Sequence, residues 1–119
     1  MKIAFVLGAS PNPDRYSFLA VTRLSKAGYS VHAIGKRKGS IGAIGITDQW
    51  PTDVEPDLIS LYLNPTNQLE YTDRILQSGT KKVIFNPGSE NPVLAAQLSE
   101  AGIEFEEACT LVMLSTGAL

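Results

Sequence analysis

Short apolar runs alternate along the chain with longer segments in which apolar residues recur at three- and four-residue spacing. Ile3-Ala4-Phe5-Val6-Leu7 is apolar at every position, the pattern of a parallel strand covered on both faces. After the turn Gly8–Asp14, residues Ala20, Val21, Leu24 and Ala27 share one helical face. They predict a helix over 17–27, capped by Ser17 and stopped by a left-handed Gly28. Tyr29–Ile34 reads as a second strand and Asp57–Leu63 as a third. A long glycine-punctuated loop separates them and ends in the turn-rich stretch Pro51–Pro56. Thr66 can cap a second helix, which carries Leu69, Ile75 and Leu76 and stops at Gly79; Lys82–Phe85 is then a fourth strand. Asn91 caps a third helix with Pro92 at its first position, Leu94, Ala95, Leu98 and Ala101 on one face, and Gly102 as its stop. Ile103–Glu106 forms the fifth strand. Helices that each end in glycine and lead straight into a strand make βαβ crossovers. The pattern therefore predicts an α/β, three-layer Rossmann-like fold with a parallel sheet of about five strands. The tail Thr110–Leu119, apolar at Leu111–Leu114, is expected to pack as a short helix or edge strand.

Composition bounds the partners. The chain has 119 residues, 44% of them hydrophobic, which suits one domain over 1–119 around a single core. Ten basic residues against 12 acidic give a net charge of −2, so nothing global steers the protein toward nucleic acid or an anionic membrane. One cysteine and one histidine exclude a disulfide framework and a zinc site built from Cys and His alone. The run Ile3–Leu7 is too short for a membrane span or a signal-peptide core, which makes a cytoplasmic location the default expectation.

In an open parallel sheet, ligands bind beyond the carboxyl ends of the strands, where helix N-termini and unpaired N–H groups converge. The segments that follow the first four strands are Gly8-Ala9-Ser10-Pro11-Asn12-Pro13, Gly35-Lys36-Arg37-Lys38-Gly39, Asn64-Pro65-Thr66 and Asn86-Pro87-Gly88-Ser89. The first departs from the dinucleotide fingerprint, with serine and proline where two of its glycines belong. A glycine at position 8 would still let a phosphate approach backbone N–H groups. The second carries Lys36-Arg37-Lys38 where an NAD site wants a carboxylate for the ribose. Three cations there suit a ligand with an extra phosphate, NADP or coenzyme A. NADP-linked hydride transfer usually needs a second region to clamp its substrate, for which 119 residues leave no room, and coenzyme A is favoured.

The run Val6-Leu7-Gly8-Ala9-Ser10-Pro11-Asn12-Pro13-Asp14-Arg15-Tyr16-Ser17, the Lys-Ala-Gly-Tyr ending at Tyr29 and the Lys-Arg-Lys-Gly loop with Ile41-Gly42 resemble the small stand-alone CoA-binding domain proteins. These are similar to the nucleotide-binding domain of the succinyl-CoA synthetase alpha subunit. The resemblance continues through Tyr62-Leu63-Asn64-Pro65, Asn86-Pro87-Gly88 and Glu107-Ala108-Cys109-Thr110. It implies coenzyme A or an acyl-CoA lying over Gly8, Ala9, Ser10, Pro11, Asn12 and Pro13, with Arg15, Tyr16 and Ser17 near the pyrophosphate. It also implies Gly35, Lys36 and Arg37 near the ribose phosphate, and Leu63, Asn64, Pro65, Asn86, Pro87 and Gly88 along the crevice.

No catalytic set emerges from the residues. His32 lies within the second strand, where an imidazole packs or hydrogen-bonds. Trp50 and Tyr62 can stack on adenine, although Trp50, in a Pro/Asp-rich loop, reads better as a lid over the core. Asp53, Glu55 and Asp57 read as a solvated turn. Cys109, just past the fifth strand, is either a small buried apolar residue or a thiol placed to meet that of CoA. The expected function is noncatalytic binding of CoA or acyl-CoA as a small-molecule nucleotide ligand. Two alternatives stand beside it: an NADP-linked or acyl-CoA-handling enzyme component completed by a partner chain or a homo-oligomer, and a partner-binding protein with a vestigial nucleotide site and Leu111–Leu114 as its apolar surface.

Overall fold

The computed structural model describes residues 1–119. Seven strands, β1 (Ile3–Leu7), β2 (Ser30–Ile34), β3 (Gly39–Ile41), β4 (Ile44–Thr47), β5 (Leu58–Leu61), β6 (Lys82–Phe85) and β7 (Glu104–Glu107), form one sheet in the order β3-β4-β2-β1-β5-β6-β7. All neighbours are parallel except the β3–β4 hairpin. The helices are α1 (Tyr16–Lys26), α2 (Pro65–Gln68), a 3₁₀ turn (Leu69–Tyr71), α3 (Thr72–Gln77), α4 (Pro92–Glu100) and α5 (Thr110–Thr116).

Strand alternation divides the core into two layers. Phe5 and Leu7 of β1 join Ile59, Leu61, Val83 and Phe85 beneath Ile75, Leu94 and Leu98 of α3 and α4. Ala4 and Val6 face the other way, with Ala33, Val21 and Leu24 of α1 and Met113 of α5. Phe5 is at the centre of the first layer, in edge-to-face contact with Trp50 at 5.3 Å and with His32 at 5.2 Å. Trp50 thus closes the core from its loop, as its position suggests.

The structure corrects several sequence expectations. The glycine-punctuated loop after β2 contains the β3–β4 hairpin, turned at Gly42 (φ +60°), and β4 extends the parallel sheet beyond β2. Ser17 does not cap α1. The cap position is Arg15, which offers no side-chain acceptor, and Ser17 is buried inside the first turn. Asn64, not Thr66, caps α2: its Oδ1 accepts from Asn67 N at 2.8 Å, and Pro65 takes the first helical position, where its missing N–H costs nothing. Asp57 is no solvated turn residue. Its carboxylate accepts from Ile3 N at 2.8 Å and pairs with Lys81 at 3.0 Å, and these contacts hold it below the usual carboxylate range. The tail is a helix, α5, with Leu111 and Met113 buried and only Val112 strongly exposed among its large apolar residues, so Leu111–Leu114 is not an open apolar patch.

Candidate nucleotide site

Going outward from β1, the chain crosses to β2 on one side and β5 on the other, which makes the carboxyl ends of these strands a topological switch point. A crevice of about 620 Å³ opens there, in the size range of small-molecule sites. Its floor is a backbone junction between two turns. Gly8 N and Ala9 N both donate to Ile34 O, at 2.9 and 3.0 Å, and Gly35 N donates to Thr47 O at 2.9 Å. A Cβ at Gly35 would lie 2.2 Å from Ala9 O, so only glycine permits this approach. Gly8 has φ +90°, and a Cβ there would stand 3.1 Å from both Tyr62 C and Leu63 Cδ2. The Gly8 N–H is thus engaged within the fold, and its missing side chain makes room for the turn after β5.

The unspent donors lie further along. In α1, an 11-residue helix, Phe18 N and Leu19 N return to Arg15 O, whereas the N–H groups of Tyr16 and Ser17 at its start receive no side-chain cap. The first turn holds no acidic residue, so the positive end of the helix dipole is uncompensated. Ser10, Arg15, Tyr16 and Ser17 line the crevice around this helix end, and Lys36 and Arg37 enter from the turn after β2. Opposite stand Tyr62 and Leu63 after β5, Asn67, Glu70 and Tyr71 from α2 and the 3₁₀ turn, and Pro87 after β6.

Two buried amides brace the opposite wall. Asn86, 1% exposed, donates from Nδ2 to Ser60 Oγ at 2.9 Å and Leu61 O at 2.8 Å, and accepts from Thr110 N at 2.8 Å. Gln68, fully buried, donates to Leu63 O and Ser89 O, both at 2.7 Å, and accepts from Asn91 Nδ2 at 2.9 Å. They tie the turns after β5 and β6 to each other and to α5. The amide groups of both side chains are thereby satisfied, and the turns are held against rearrangement. The Tyr62 phenol is buried without a partner of good hydrogen-bond geometry; burial pushes its pKa up to about 12.

Of the residues expected at the site, the fold brings Gly8, Ala9, Ser10, Arg15, Tyr16, Ser17, Gly35, Lys36, Arg37, Leu63 and Pro87 to one crevice. Pro11, Asn12, Pro13, Asn64, Pro65, Asn86 and Gly88 do not line it. Asn12 instead shapes the turn, its Oδ1 accepting from Asp14 N at 2.9 Å and its carbonyl from Arg15 N at 3.1 Å. Cys109 is the half-buried cap residue of α5, also outside the lining. Tyr62 also lines the crevice, as do Asn67, Glu70 and Tyr71, which the sequence did not single out for it. Their signal in the sequence was faint, because it depends on the break of one expected helix into α2, the 3₁₀ turn and α3.

A family model described as a CoA binding domain matches residues 2–115. A crystal structure of an uncharacterized protein, 44% identical, superposes with a TM-score of 0.95 over 100% of this chain and 98% of its own. A conserved hypothetical protein from Pyrococcus furiosus, 29% identical, gives a TM-score of 0.70 over 87% of this chain and 90% of that one. A Thermus thermophilus protein at 20% identity shares the fold, with a TM-score of 0.82 over 99% and 90% of the two chains. Among curated proteins, none matches.

Proposed function

The chain belongs to the CoA-binding domain family, and from that premise we propose that it binds coenzyme A or an acyl-CoA noncatalytically in the crevice above β1, β2 and β5. The observation that carries this reading is the uncapped start of α1, which opens on the crevice beside Arg15, Lys36 and Arg37 in a chain whose net charge is −2. A diphosphate fits the N–H groups of Tyr16 and Ser17, with the Ser17 and Ser10 hydroxyls and Arg15 at hand. The third phosphate, on the ribose, falls to the turn after β2, where Arg37 takes part in no ion pair. Pairing with Glu70 raises Lys36, which therefore stays cationic beside the crevice, and burial raises both Tyr71 and Tyr62.

Native mass spectrometry of the purified protein, followed by calorimetry with CoA and dephospho-CoA, tests the reading. A charge-assisted hydrogen bond is worth roughly 1.5–3 kcal/mol, so Arg37→Ala should weaken CoA about tenfold or more and barely change dephospho-CoA. Retention of NADP in place of CoA would favour an enzyme component instead, and equal losses for both CoA forms would remove Arg37 from the third phosphate.

A further inference from the structure

Among the cations of the crevice stands one carboxylate, Glu70. Lys36 Nζ donates to Glu70 Oε2 at 2.9 Å and sits 5.8 Å from the centre of the Tyr71 ring. The contact joins the turn after β2 to the 3₁₀ turn before α3. With the two side chains 64% and 51% exposed, it is a screened pair that exchanges readily with another anion. Lys36 also borders an adjoining cavity of about 320 Å³, lined in part by Lys38, Thr47 and Asp48.

We propose that Glu70 is a specificity-determining residue: it latches Lys36 away from the ligand, and a nucleotide that carries the ribose phosphate must displace it, whereas one lacking that phosphate leaves the latch closed. The inference rests on the CoA reading of this crevice. A ribose phosphate that draws Lys36 to itself breaks the pair and leaves the Glu70 carboxylate unpartnered beside a second anion. Both effects oppose that phosphate alone. Removing the Glu70 charge frees Lys36 while the Tyr71 ring still helps to hold its ammonium in place. Arg37, unpaired, reads the phosphate in either case.

Calorimetry with CoA and dephospho-CoA on the parent, Glu70→Gln, Lys36→Gln and the double variant tests this, with thermal melts to verify folding. Glu70→Gln should tighten CoA about two- to fivefold, the range of an exposed ion pair, and dephospho-CoA by much less. In the Lys36→Gln background the gain for CoA should fall by half or more. Unchanged or weaker CoA binding by Glu70→Gln, or equal gains for the two nucleotides, overturns the latch while leaving the CoA site in place. A parent that binds neither nucleotide overturns the CoA reading and the latch together.

Discussion

Replacing Gly35 by alanine probes the junction on which the crevice is built. The added methyl would lie 2.2 Å from Ala9 O, where ordinary contact begins at 3.4 Å, so one of the two turns must move by at least about 1 Å. Neither side can yield freely. Ala9 is 5% exposed and bonded through its N–H to Ile34 O at 3.0 Å, and Gly35 N is bonded to Thr47 O at 2.9 Å. Overpacking of this kind costs about 1–3 kcal/mol, and a broken backbone hydrogen bond adds about 1 kcal/mol. For a domain of this size the melting temperature should fall by roughly 10 °C or more. Gly45→Ala is the matched control, because its Cβ meets no atom within 4 Å and its backbone is not left-handed. Calorimetric melts of the two variants, followed by CoA titration of whichever remain folded, measure the effect. If Gly35→Ala melts within a degree or two of Gly45→Ala, the tight contact between the two turns is wrong, and with it the account of the crevice floor.

Three further outcomes follow from individual residues. Asn86→Ala strands the Ser60, Leu61 and Thr110 groups that the amide serves, so it should cost about 2–4 kcal/mol in stability by chemical denaturation; an unchanged midpoint would contradict the bracing role. Asp57 is held below its usual range by Ile3 N and Lys81, so its contribution is present above about pH 4 and is lost as pH falls through the folded value. Asp57→Asn should therefore flatten the acid limb of the stability profile below pH 4, and an unaltered limb would place the acid sensitivity elsewhere. Cys109, half-buried and outside the crevice lining, should react with CoA disulfide no faster than with a neutral disulfide; selective labelling that CoA suppresses would bring it to the ligand.

The central strands were legible because parallel strands covered on both faces are apolar at every position, as in Ile3–Leu7 and Val83–Phe85. The hairpin was not. Gly39-Ser40-Ile41 and Ile44-Gly45-Ile46-Thr47 are short, partly exposed and rich in glycine, and so read as loop. At α4 the pair Asn91-Pro92 marks the cap unambiguously, whereas at α2 the equivalent pair Asn64-Pro65 is followed by Thr66, a residue of the same capping type that competes with it in the sequence. The loops that form the crevice could be read from their glycines, serines and cations. The side chains that brace it could not, because Asn86 meets partners 24–26 residues away and Gln68 a partner 23 residues away, and no local pattern marks such distant pairing.

Two-dimensional ¹⁵N–¹H spectra of the labelled protein titrated with CoA test the central claim most directly. The account predicts saturable shifts centred on Ser10, Arg15, Tyr16, Ser17, Gly35, Arg37 and Leu63, with residues of the groove between α1 and α5, such as Arg23 and Lys26, little affected. No shifts at millimolar CoA, or shifts centred on that groove instead, would contradict it.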